Sequence, residues 1–146
     1  MATHGEIMAL HRYYLWADRM RVHFYQTLGM IVPQPSVMTS DQVVQAFFHH
    51  PYMPYWYGGT FVLIEGWQAL GLRDAEIDAM LRSPNTKLLR RSRHGAFHFQ
   101  RKYFDMRFFE FMEPERTPEW IFHLSEAFGR WFLAYFAWLR EGGVKC

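Results

Sequence analysis

Thr117-Pro118-Glu119-Trp120-Ile121-Phe122-His123-Leu124-Ser125-Glu126-Ala127-Phe128, continuing through Trp131-Phe132-Leu133-Ala134-Tyr135-Phe136 to Arg140, decides the fold class. Threonine, proline and glutamate in that order open a helix. Proline's missing N–H is harmless at the first helical position, and a carboxylate there meets the positive end of the helix dipole. Gly142-Gly143 closes the run. Trp120, Phe122, Leu124, Phe128, Trp131, Phe132, Tyr135, Phe136, Trp138 and Leu139 cover more than the single stripe that a surface helix needs. A helix of this kind is central in a bundle or shared with a second copy, and a homodimer is expected. Its longest apolar stretch, Trp131 to Leu139, falls far short of the roughly 18–20 residues required to span a membrane.

Upstream the pattern stays helical. Leu10, Tyr14, Ala17, Arg21, Phe24 and Leu28 mark one face of a helix from about Thr3 to Leu28, stopped by Gly29. Thr39-Ser40-Asp41-Gln42 is a capping box for a short helix that ends at His49-His50-Pro51. A third helix covers roughly Pro54 to Leu70, with Gly71 beyond it. Asp74 caps a short helix carrying Glu76 and Asp78 in its first turn, and Asn85 is placed as cap of the next. A further short helix is expected over Phe104 to Met112. The chain therefore predicts an all-α, compact bundle of four to five main helices with short extra ones, in a single domain over 1–146.

Half of the residues are hydrophobic and 19% are aromatic, enough for a substantial core with rings to spare for an interface. The single cysteine, Cys146, has no internal partner, which fits a reducing setting. The first residues lack the basic start and apolar run of a secretory signal, so a soluble, cytoplasmic protein is expected. No glycine-rich phosphate loop, nucleophile elbow or paired-cysteine zinc pattern occurs.

The chemistry gathers in Leu88-Leu89-Arg90-Arg91-Ser92-Arg93-His94-Gly95-Ala96-Phe97-His98-Phe99. Between Ala79 and Phe104 there is no acidic residue, while the whole chain carries a formal charge of only +2. The basicity is local. Histidine titrates near neutrality and arginine holds phosphate, so Arg93 and His98 suit attack of a ribose 2′-hydroxyl on its neighbouring phosphate. On a straight helix, however, Arg91 and His94 lie nearer to His98 than Arg93 does, since five residues correspond to about 140° of rotation. Either arginine is a candidate. Glu65, on an apolar helix, either orients Arg91 or Arg93 or simply points to water. Arg90, Arg101 and Lys102 are candidates for RNA-backbone contact, as is Arg107, with solvation the plainer reading. Tyr103 is a candidate for base stacking, with packing against the bundle as the alternative. His94 and His98 have the spacing of a helical metal pair, but no matching histidine or carboxylate pair accompanies them.

Asp74-x-x-Ile77-Asp78-x-x-Leu81 followed by Leu89 to Gln100, with Val62-Leu63-Ile64-Glu65-Gly66-Trp67 before them, resembles the HEPN superfamily (higher eukaryotes and prokaryotes nucleotide-binding domains). The resemblance spans roughly Tyr55 to Arg107. It implies a small, usually dimeric helical bundle whose signature is Arg-x4–6-His. Arg93 and His98 match that signature, with His94 in the polar position after the arginine; Arg91 to His98 fits the longer spacing. The family implies a metal-independent endoribonuclease that needs no cofactor, with His98 as acid/base, Arg93 as phosphate-stabilising cation and His94 in support. It also implies a toxin or antiviral setting, with a neutralising antitoxin or a phage-derived trigger as partner. A non-catalytic nucleotide- or RNA-binding or assembly module is the alternative, and a metal-binding bundle the third.

Overall fold

The computed structural model describes residues 1–35, 39–103, 105–110 and 118–143, and among them all regular structure is helical. The helices are α1 (His4–Thr27), α2 (Ser40–His49), α3 (Tyr52–Ala69), α4 (Ala75–Leu81), α5 (Asn85–Phe97), α6 (Met106–Phe109) and α7 (Pro118–Arg140). The all-α bundle expected from the sequence is what forms.

Local chemistry sets most of the boundaries. Thr3 Oγ1 accepts the Glu6 N–H, and Glu6 Oε2 accepts the Thr3 N–H at 2.7 Å, a reciprocal cap that opens α1. Thr39 and Gln42 repeat the arrangement ahead of α2. Asp74 Oδ1 accepts the N–H groups of Glu76 and Ile77 and starts α4. Gly29 and Gly71 follow their helices at φ 70° and 64°, the left-handed region where a side chain is strained.

Three boundaries differ from expectation. Asn85 does not cap α5: Pro84 occupies the capping position, Asn85 is buried in the first turn, and Ser83 Oγ accepts its N–H at 3.2 Å. α3 begins two residues before Pro54, because proline inside a first turn removes only an N–H that has no intrahelical partner. The short helix after α5 is cut to Met106–Phe109, capped by Asp105; Phe104, Met112 and Thr117 lie outside the described residues.

Packing follows side-chain size. α1 and α3 run antiparallel and approach closely through small residues. A Cβ on Gly59 would stand 3.2 Å from the Ala17 Cβ, and one on Gly66 would stand 2.5 Å from Leu10 Cδ1. Both pairs are spaced seven residues apart, two turns along one face of each helix. α3 meets α7 through large rings instead. Trp67 lies 5.5 Å from Phe128 and 4.9 Å from Trp131, and the Trp56 Nε1–H donates to Ser125 Oγ at 3.3 Å.

α7 runs antiparallel to α1. Phe132 and Phe136 each sit 4.8 Å from His11, Tyr135 OH lies 2.8 Å from His4 Nδ1, and Phe122 packs on Tyr25 near the other end. α4 covers another side of α7, where Arg130 pairs with Glu76 at 2.6 Å and Trp120 Nε1–H donates to the Met80 carbonyl. The broad apolar surface of α7 is thus largely absorbed inside the bundle, with Leu133 and Trp138 left outside. Among the described residues no helix is long and apolar enough to cross a membrane.

Candidate functional site

α5 lies on α3 and presents the basic segment. Its inner face buries Asn85, Leu89, Ser92 and Gly95, positions three or four apart. That choice of inner face fixes where the cations go. Arg90 and His94 face solvent, while Arg91 and Arg93, two residues and about 200° apart, leave by opposite flanks. Arg93 reaches α3, where its Nη2 stands 3.5 Å from Glu65 Oε2 and its guanidinium lies 5.8 Å from the centre of the Phe61 ring. Arg91 turns toward α6 and pairs with Glu110 at 3.1 Å. Glu65 is 47% exposed, so it both meets water and holds an arginine, and that arginine is Arg93.

The straight-helix comparison of Arg91 with His98 does not survive. α5 ends at Phe97, and His98 is already extended at φ −123° and ψ 133°, its N–H bonded to the His94 carbonyl at 3.2 Å. Leaving the helix swings His98 back over His94, and the two imidazole centroids are 4.3 Å apart. Partial desolvation lowers the His94 pKa first; then the His98 ring and the charges of Arg107, Arg93 and Arg90 disfavour a further proton. The neutral form of His94 is favoured.

Gln100 and Asp105, which sequence reading passed over, hold this turn in place together with Arg107. Gln100 Nε2–H donates to the His98 carbonyl at 2.6 Å, and Gln100 Oε1 accepts from Arg107. Arg107 in turn donates to both oxygens of Asp105, at 2.8 Å each. These bonds hold the Asp105 carboxyl far below the usual carboxylate range. Arg107, expected as a backbone contact or a solvated charge, is therefore committed internally. The one sequence signal for the clip is Asp105 two residues before Arg107, an acid placed to cap the helix on which the arginine begins. Tyr103, for which stacking on a base and packing against the bundle were the alternatives, lies against Phe48 at 5.2 Å with nearly parallel rings and stays 72% exposed. Arg101 and Lys102 are exposed.

Phe97 settles over Gly58, where a Cβ would come within 2.0 Å of the ring, and meets Tyr55 edge-on at 5.4 Å. The site therefore combines two adjoining imidazoles, an arginine held by a carboxylate, and exposed cations. It can bind an anion and exchange protons. Among the described residues, no three histidine, cysteine, aspartate or glutamate side chains gather as a metal site would require. No family model, curated protein or solved structure matches the chain.

Proposed function

We propose that the protein is a HEPN-like endoribonuclease that cleaves RNA without a metal ion. The observation that carries this reading is the His94–His98 pair, with centroids 4.3 Å apart and the charges of Arg90, Arg93 and Arg107 acting on His94. An imidazole accepts the proton of a ribose 2′-hydroxyl as its oxygen attacks the adjoining phosphorus. The bond to the 5′-oxygen breaks and that oxygen takes a proton, leaving a 2′,3′-cyclic phosphate and a 5′-hydroxyl. His98 is the acid/base group, with neutral His94 beside it. Arg93, oriented by Glu65, stabilises the charge that grows on the phosphoryl oxygens. Arg90, Arg101 and Lys102 supply attraction for the RNA backbone.

A homodimer with the two α5 helices lining one cleft belongs to this reading. It rests on the family resemblance; the exposed Tyr13, Leu15 and Trp16 of α1 are apolar surface available for burial and do not place α5 in an interface. The cytoplasmic setting rests on the lone cysteine, and the neutralising or triggering partner on the family resemblance.

The test incubates purified protein with mixed RNA in EDTA, beside His98→Ala, Arg93→Ala and Arg91→Ala. Cleavage that persists in EDTA and vanishes in the first two variants supports the proposal. A folded wild type that binds RNA and leaves it intact makes the protein a binding module. Stoichiometric metal that His98→Ala releases makes it a metal-binding bundle.

A further inference from the structure

Phe99 is 91% exposed, the most exposed aromatic ring among the described residues, and it follows His98 directly in the chain. We propose that Phe99 is a base-stacking platform, and that the site takes single-stranded nucleic acid with a base lying on this ring. The inference rests on reading the His94–His98 surface as a phosphate site.

A phenyl ring in water forgoes the burial that most aromatic residues of this chain obtain, and local structure holds it there. With His98 extended, successive side chains leave the chain on opposite sides, so turning His98 toward His94 sends Phe99 outward. The flanking residues are anchored. His98 offers its carbonyl to Gln100, and Gln100 is tied through Arg107 to Asp105. The ring is thus presented on a fixed stretch of backbone rather than on a loose loop. Phe97, on the other side of His98, is seated on Gly58 and Tyr55, and Tyr103 has Phe48 against it, so that of these rings Phe99 is the most exposed.

The surrounding charge selects the occupant. Arg90, Arg101 and Lys102 are exposed, and no acidic residue falls between Ala79 and Phe104. The nearest acid beyond, Asp105, is taken up by Arg107. An aromatic face near exposed cations is the combination that grips a single strand, with bases on the ring and phosphates on the cations. A duplex keeps its bases stacked on each other and offers none to the ring.

The test measures binding of the full chain to short fluorescent deoxyoligonucleotides, which lack the 2′-hydroxyl and cannot be cleaved by the proposed route. Failure of RNA cleavage and failure of stacking are therefore separate results. Expected are tighter binding of single strand than of duplex, and a loss of about tenfold in Phe99→Ala, with Phe99→Leu similarly weak. Phe99→Trp keeps the affinity, and its added indole emission is quenched by the strand. An abasic strand binds wild type and Phe99→Ala alike. Unchanged affinity in Phe99→Ala overturns the proposal, as does an equal loss toward the abasic strand. A variant that turns a dimer into a monomer with strand affinity intact also overturns it, making the ring a contact between copies.

Discussion

His94 and His98 hold their rings 4.3 Å apart although only His94 belongs to α5. One imidazole is fixed by the helix and the other by the extended residue that ends it, so their separation depends on where the helix stops. With no acidic neighbour on α5, His94 feels the local cations.

His94 should titrate below the ordinary histidine value of about 6.5, and His98→Asn should raise its midpoint, as followed by imidazole NMR signals. The unfolded chain takes up a proton near 6.5 when folded His94 does not. Stability is therefore undiminished above that pH and falls as pH drops toward the lower folded midpoint. Burial lowers His11 in the same sense, so His94→Asn removes only part of the slope in urea unfolding. A His94 midpoint at or above the ordinary value would remove the neutral imidazole placed beside His98.

Glu65 and Arg93 are half-exposed, with side chains 47% and 32% accessible, so breaking their pair costs less than about 1 kcal/mol of stability. Its effect on RNA cleavage should be larger. Arg93→Ala is expected to lose about 10²–10³-fold in rate, Glu65→Gln to lose less, and Arg91→Ala, whose partner is Glu110, to keep most activity. Urea midpoints measured alongside separate chemistry from folding. Activity that disappears with Arg91 and survives without Arg93 would reverse the assignment.

Asp105→Asn should release Arg107 and, through it, Gln100 and the turn at His98. Amide hydrogen exchange over 98–103 is expected to quicken, and an unchanged pattern would show that the clip does not restrain the turn. The Asp105 carboxyl is held low by Arg107, so its contribution is complete above the unfolded carboxylate value of about 3.9. It is lost only as pH falls below that value toward the depressed folded one, so between mild acid and neutrality this residue leaves stability flat.

Two glycine substitutions should act with opposite sign. Gly5→Ala meets nothing within 4 Å and removes a flexible residue from α1, a gain of up to about 1 kcal/mol. Gly66→Val drives side-chain atoms into buried Leu10, where even a Cβ lies 2.5 Å away, and should cost about 1–3 kcal/mol. Thermal and urea unfolding read both. Equal effects would mean that α1 and α3 do not approach as closely as their small residues allow.

Much of the fold was legible because its boundaries are set by neighbours in sequence. Thr3 with Glu6, Thr39 with Gln42, Asp74 with the two N–H groups that follow, and Pro118 are all short-range events. Asn85 misled because its type suits a cap, whereas the chain uses Ser83 to bind the first free N–H and buries Asn85. The site was legible in composition and not in geometry. A helical wheel assumes that the helix continues, and at His98 it does not. Neither partner could be named for Arg107 or Tyr103, because Asp105 with Gln100, and Phe48, are chosen by a loop and by distant packing.

By itself the sequence determined the all-helical class, the apolar excess of α7, and the placing of two histidines and several cations in one segment free of acid. Only the tertiary structure decided that Arg93 goes to Glu65 and Arg91 to Glu110, that His98 folds back on His94, and that Phe99 is the most exposed ring among the described residues. Caps and periodicity act over three or four residues and can be read from the chain. The direction in which a side chain leaves a helix acquires a partner only when packing chooses which face is buried, and that choice is made by residues far away along the sequence.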